Sequence, residues 1–130
     1  MVVDASALLA ILLGEPDAYR YARPIEAATI PRIASPTLVE ASAVALGRGG
    51  SALLHELRLI VREAGFDIVP FSAEHAEIAA EAYQRYGRGI GDPACLNMGD
   101  CFSYALARAL DEPLLYKGED FARTDIRSAI

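Results

Sequence analysis

Met1-Val2-Val3-Asp4-Ala5-Ser6 opens the chain, and Ala7-Leu8-Leu9-Ala10-Ile11-Leu12-Leu13 follows without a break. Apolar residues run straight into a carboxylate, and a helical pattern begins at once. A buried strand that ends in an acid, with no loop before the next helix, puts that acid on the rim of a sheet. In open α/β folds, ligands bind at the rim formed by the carboxyl ends of the strands. The weight given to Asp4 therefore rests on whether other acids reach the same edge.

Short apolar runs alternate with helical patterns along the rest of the chain. After the first helix, Gly14 punctuates, and a second helical stretch runs from about Pro16 to Ala28 with a break expected at Pro24. Arg32-Ile33-Ala34 reads as a second strand. Ser35-Pro36 then supplies the N-cap and first-turn chemistry of a helix running to about Gly47. Arg48-Gly49-Gly50 is a turn, and the next helix puts Leu53, Leu54, Leu57, Val61 and Ala64 on one face. Phe66 to Pro70 is a third strand, and Ala73 to Arg88 a helix with an alanine and tyrosine stripe. A glycine-rich loop from Gly87 to Asn97 leads to a helix from about Gly99 to Leu110. Pro113-Leu114-Leu115-Tyr116 is a fourth strand, with a short fifth near Ile126. Strands alternating with helices imply parallel β-α-β units joined by right-handed crossovers. The expected fold is a three-layer α/β/α domain, residues 1–130, around a parallel sheet of four to five strands.

Composition bounds the function. A chain of 130 residues with 53% hydrophobic content suits one core. No apolar run approaches the ~18 residues of a membrane span, and the first residues lack a signal-peptide pattern. A soluble, cytoplasmic protein with no membrane partner is expected. Cys95 and Cys101 are the only cysteines and have no histidine beside them, so they read as small packing residues rather than zinc ligands. The formal charge of −6 argues against tight non-specific binding to nucleic acid. It does not exclude a nuclease, because divalent ions bound by acids reverse the sign of a pocket.

Crossover helices run opposite to parallel strands, so helix N-termini share an edge with strand C-termini. Asp4 ends strand one. Glu40 lies in the second turn of the helix after strand two, Asp100 in the first turn of the helix before strand four, and Asp120 just beyond strand four. Four carboxylates from distant segments thus meet by topology. Crowded carboxylates repel, and one must take up a proton unless a cation joins them. Hard oxygen ligands without histidine or cysteine select Mg²⁺ or Mn²⁺. Such an ion polarises a phosphate and activates water, and helix N-termini at the same edge favour the phosphate. The chemistry implied is metal-assisted hydrolysis of a phosphodiester.

Each acid also has an ordinary explanation. Asp4 or Ser6 would serve as a helix cap, Asn97 with Asp100 resembles a capping box, Glu40 suits a solvated helix face, and Asp120 a turn. None of these explanations predicts convergence.

Four ordered motifs now carry a family resemblance. Asp4-x-Ser6, Pro36-Thr37-Leu38-Val39-Glu40-Ala41-Ser42, Leu96-Asn97-Met98-Gly99-Asp100-Cys101-Phe102-Ser103-Tyr104-Ala105, and Pro113 to Phe121 followed by Thr124-Asp125-Ile126 resemble a PIN-domain ribonuclease. The nearest subgroup is the VapC-type toxins of toxin–antitoxin pairs. Met98 stands where the family pattern has an aromatic residue. The resemblance implies a Mg²⁺-dependent endoribonuclease, with Mn²⁺ as substitute, acting on RNA as a homodimer and held inactive by a VapB-type antitoxin. It also implies an antitoxin segment laid across the acidic groove. By position, Asp4 and Asp100 would be the principal metal ligands. Glu40 and Asp120 would complete the catalytic site by holding a second ion or positioning water, with Ser6 supporting Asp4. Asp125 reads as a surface or capping residue.

Other residues carry less. Lys117 suits either a phosphate contact or a surface position, Arg85 and Arg88 read as solvated helix ends, and Gly87 to Gly91 lacks the strand and lysine of a phosphate loop. His55 and His75 fall away from the acidic edge. A two-component receiver domain would need paired acids after strand one and an aspartate ending strand three, where Val69-Pro70-Phe71 stands. An aspartate-nucleophile phosphatase would need an aspartate at position 6, which is Ser6. The remaining rival is a catalytically silent PIN-fold module acting within an antitoxin or repressor complex, which would work without Mg²⁺.

Overall fold

Val2 and Val3 point to opposite faces of the sheet, and that alternation divides the core in two. The computed structural model describes residues 1–130 throughout. Strands β1 (Val2–Val3), β2 (Arg32–Ala34), β3 (Asp67–Val69) and β4 (Leu114–Leu115) form one sheet in the order β3-β2-β1-β4. All pairings are parallel, with Val2 opposite both Arg32 and Leu114 and Ile33 opposite Ile68. Val3, Ile33 and Leu115 face helices α1 (Ala5–Leu12), α2 (Ala18–Ala27) and α3 (Ser35–Glu63). Val2, Ala34 and Leu114 face α4 (Ala73–Tyr86) and α5 (Met98–Leu110). Two apolar cores on one sheet make the expected three layers. The valines and leucines of the sheet centre are fully buried, each contributing ~1.5–3 kcal/mol relative to exposure. No helix is long and apolar enough to cross a membrane.

Several local expectations hold for physical reasons. Gly49 and Gly50 interrupt α3, with Gly50 at φ +63° and ψ −155°, backbone that L side chains rarely adopt. The glycine turn thus bends one long helix into two arms. Asn97 and Asp100 form a reciprocal capping box at the start of α5, and Ser72 and His75 form another at the start of α4. His75 is therefore a capping residue.

Other expectations are corrected. Pro24 does not break α2; the helix runs three residues beyond it, where buried Tyr21 and Ile25 pin the last turns to the core. Ser35 does not cap α3. The chain passes from β2 into the helix without a loop, so Ala34 takes the cap position and Ser35 is already helical. The fifth strand shrinks to one parallel bridge between Leu114 and Ser128, where Leu114 N donates to Arg127 O at 2.9 Å and Ala129 N to Leu114 O at 2.9 Å. Ile126 instead packs its side chain against the second core.

Candidate active site

Asp4 belongs to strand and helix at once. Its backbone N–H donates to Leu115 O at 2.9 Å, extending the ladder beyond β1. Its carboxylate then caps α1, with Oδ2 accepting from Ser6 N at 2.9 Å and from Ser6 Oγ at 2.6 Å. Oδ1 accepts from Ser103 Oγ at 2.6 Å. Only 4% of Asp4 is exposed. Ser6 Oγ in turn accepts from Lys117 N at 2.9 Å, so it fastens the end of β4 to the first acid. The capping explanation and the rim explanation of Asp4 are both true of the same side chain.

Glu40 rises from the second turn of α3 and lays its carboxylate against the first turn of α5. A Cβ built on Gly99 would stand 2.8 Å from Glu40 Cδ and overlap its oxygens. Burial, and after it the charges of Asp4 and Asp100, push the Glu40 carboxyl up to about 7. Asp100 Oδ2 accepts from Asn97 N at 2.8 Å, closing the capping box and leaving the other oxygen free. Burial pushes Asp100 up to about 6; the Asn97 N–H and Arg88 oppose this, while Asp4 and Asp120 add to it. Asp120 is exposed at the start of a short 3₁₀ turn, Phe121–Arg123, whose buried Phe121 packs 5.0 Å from the Tyr116 ring. The structure thus brings Asp4, Glu40 and Asp100 into electrostatic range of one another and links Asp120 to the set through Asp100.

Asp125 lies elsewhere. It accepts from Tyr104 Oη at 2.7 Å and faces Arg85 at 3.5 Å and Arg108 at 3.9 Å. The Tyr104 hydrogen bond, then the arginines, hold its carboxyl below the usual range. Arg85 is therefore paired rather than free. Lys117 is also engaged, by Glu15 and by Asp17 at 2.7 Å. Two site residues went unread in the sequence: Ser103 and Thr37, both fully buried, whose hydroxyls lie 3.2 Å apart. The signal was present. Ser103 stands three residues after Asp100 and Thr37 three before Glu40, a spacing that puts each on the face of its neighbour.

The donor set fits a hard divalent cation, because it is all oxygen and two of its members carry charge against burial and against each other. No three of the acids close on a single point as they stand.

Residues 1–127 match the PIN domain. This chain belongs to the PIN-domain family. It is 40% identical over 129 residues to ribonuclease VapC42 of Mycobacterium tuberculosis, covering 99% of this chain and 98% of that one. Among solved structures it resembles VapC20 of Mycobacterium tuberculosis, described as a toxin that cleaves the sarcin-ricin loop, with a TM-score of 0.79 and 17% identity, covering 96% of this chain and 95% of that one. A chain of a toxin–antitoxin complex from Klebsiella pneumoniae has a TM-score of 0.71 and 20% identity, covering 93% and 89%. The two structural likenesses speak to the PIN fold.

Proposed function

We propose that this PIN domain, residues 1–130, is a Mg²⁺-dependent endoribonuclease toxin, with Mn²⁺ as substitute, that hydrolyses RNA phosphodiester bonds in the cytoplasm. The observation that carries the reading is geometric: the Glu40 carboxylate lies against the first turn of α5, which carries Asp100, at the edge where buried Asp4 ends β1. A rim that crowds carboxylates and offers no basic partner to Glu40 or Asp4 is built to receive a cation. The relationship to VapC42 supports RNA as the substrate.

Asp4 and Asp100 would hold the ion, with Glu40 and Asp120 completing the acidic set. When bound, the ion supplies charge neutralisation at the phosphate and acidifies the attacking water. Glu40, whose carboxylate lies against the first turn of α5, would accept the proton that this water gives up. Ser6 keeps Asp4 oriented, and the N-terminus of α5 favours the phosphate group. Water oxygen would bond to phosphorus as the phosphorus–oxygen bond to the ribose breaks, and the departing ribose oxygen would take a proton from solvent to leave as a hydroxyl.

The same reading includes a VapB-type antitoxin as inhibitor and a homodimer as the working unit. Large apolar side chains left in solvent, Val39 at 68% and Met98 at 69% exposed, support protein partners. The deciding experiment is cleavage of total cellular RNA by the partner-free protein in Mg²⁺, Mn²⁺ or EDTA. Folded Asp4→Asn and Asp100→Asn variants run alongside. Metal-dependent cutting absent from both variants supports the nuclease. RNA left intact by folded, metal-loaded wild type would bring the silent binding module forward.

A further inference from the structure

Ser103 Oγ donates its single hydroxyl proton to Asp4 Oδ1, with the two oxygens 2.6 Å apart. Its contact with Thr37 at 3.2 Å then has only one polarity left: Thr37 Oγ1 donates and Ser103 Oγ accepts. The other oxygen of Asp4 is treated the same way. Lys117 N–H donates to Ser6 Oγ at 2.9 Å, and Ser6 turns its own proton onto Oδ2 at 2.6 Å. Each oxygen of Asp4 is thus held by a hydroxyl that also accepts from another segment, the loop after β4 on one side and α3 on the other.

The Thr37 side of this clamp does something the Ser6 side does not. Thr37 lies one turn before Glu40 on α3, and Ser103 one turn after Asp100 on α5. The relay from Thr37 through Ser103 to Asp4 therefore ties together the helices that carry the other two central acids. Thr37, Ser103 and Asp4 are all buried, so water does not compete for these bonds.

We propose that Thr37 and Ser103 are positioning residues that fix Asp4 against Glu40 and Asp100 and so set the site's affinity for a divalent cation. Neither side chain touches substrate or metal; both act through Asp4. This rests on the metal-site reading above.

The test is Mn²⁺ binding to the RNA-free protein, followed by electron paramagnetic resonance of free ion and by calorimetry. The variants are Ser103→Ala, Thr37→Val and Thr37→Ser. Outer-shell groups of this kind typically change metal affinity on the order of 10–100-fold. Thr37→Val keeps the side-chain shape and removes the donor, so it should weaken Mn²⁺ binding on the order of tenfold with circular dichroism unchanged. Thr37→Ser should restore affinity, and Ser103→Ala should match or exceed the valine variant. Folded variants that bind Mn²⁺ as wild type does would overturn the positioning role and leave the metal site standing. Wild type that binds no Mn²⁺ would overturn both.

Discussion

The carboxylate of Glu40 fills the space that a side chain at position 99 would need. Gly99 is in helical backbone, and the three atoms nearest a Cβ there all belong to the end of the Glu40 side chain. Glu40 can swing away at little cost, and alanine favours helix over glycine by ~0.5–1 kcal/mol. Gly99→Ala should therefore keep or slightly raise thermal stability while cutting RNA cleavage at least about tenfold, about 1.4 kcal/mol in the barrier. Paired melting curves and cleavage rates check this. Loss of stability with full activity would place Glu40 outside the reaction.

Stability without metal should fall as pH rises. The folded-state pKa of Glu40 is about 7 against an ordinary 4.5, and that of Asp100 about 6 against 3.8. Groups raised in the folded state bind more protons there than in the unfolded chain. Their stabilising contribution is complete below about pH 4 and disappears as pH climbs through 6 to 7. In EDTA, the difference in melting temperature between wild type and Glu40→Gln should widen in favour of the variant from pH 5 to 8. Added Mg²⁺ should stabilise wild type more at pH 8 than at pH 5.5. A pH-independent difference would mean that burial and the neighbouring acids do not push the Glu40 carboxyl up.

Asp125 belongs to structure rather than to the site. Asp125→Ala leaves the Tyr104 hydroxyl without its acceptor and Arg85 and Arg108 without their common partner. An unsatisfied buried polar group costs ~1–3 kcal/mol. Urea unfolding should show a loss in the lower part of that range, with cleavage per folded molecule unchanged. A cleavage defect in a fully folded sample would add Asp125 to the acidic set.

The sheet and the meeting of the acids were legible because both follow from topology. Parallel strands capped by acids, with helices returning antiparallel, leave Asp4, Glu40, Asp100 and Asp120 one common edge. Pro24 and Ser35 misled because local propensity was overruled, in one case by burial of Tyr21 and Ile25 and in the other by the absence of any loop. The spacing of Thr37 to Glu40 and of Ser103 to Asp100 was legible, but the contact between the two hydroxyls was not, because it joins residues 66 apart in the chain. The pairing of Lys117 with Glu15 and Asp17 was invisible for the same reason, since it joins the loop after α1 to the end of β4.

Asp4→Asn and Asp100→Asn should move stability in opposite directions, although both are expected to abolish cleavage. In Asp100→Asn the amide oxygen still accepts from Asn97 N, and a charge pushed up by burial and by its neighbours is removed. That variant should melt higher than wild type in EDTA. In Asp4→Asn an NH₂ must replace one of two oxygens that only accept. Facing Ser6, it opposes a backbone N–H that cannot turn. Facing Ser103, it forces that hydroxyl to accept, which reverses the relay and leaves the Thr37 proton without its partner in a fully buried position. Either arrangement costs about 1–3 kcal/mol. Differential scanning calorimetry of the two variants at pH 8 without metal separates them. Equal shifts, or a gain for Asp4→Asn, would show that the hydroxyls are not locked around the first acid.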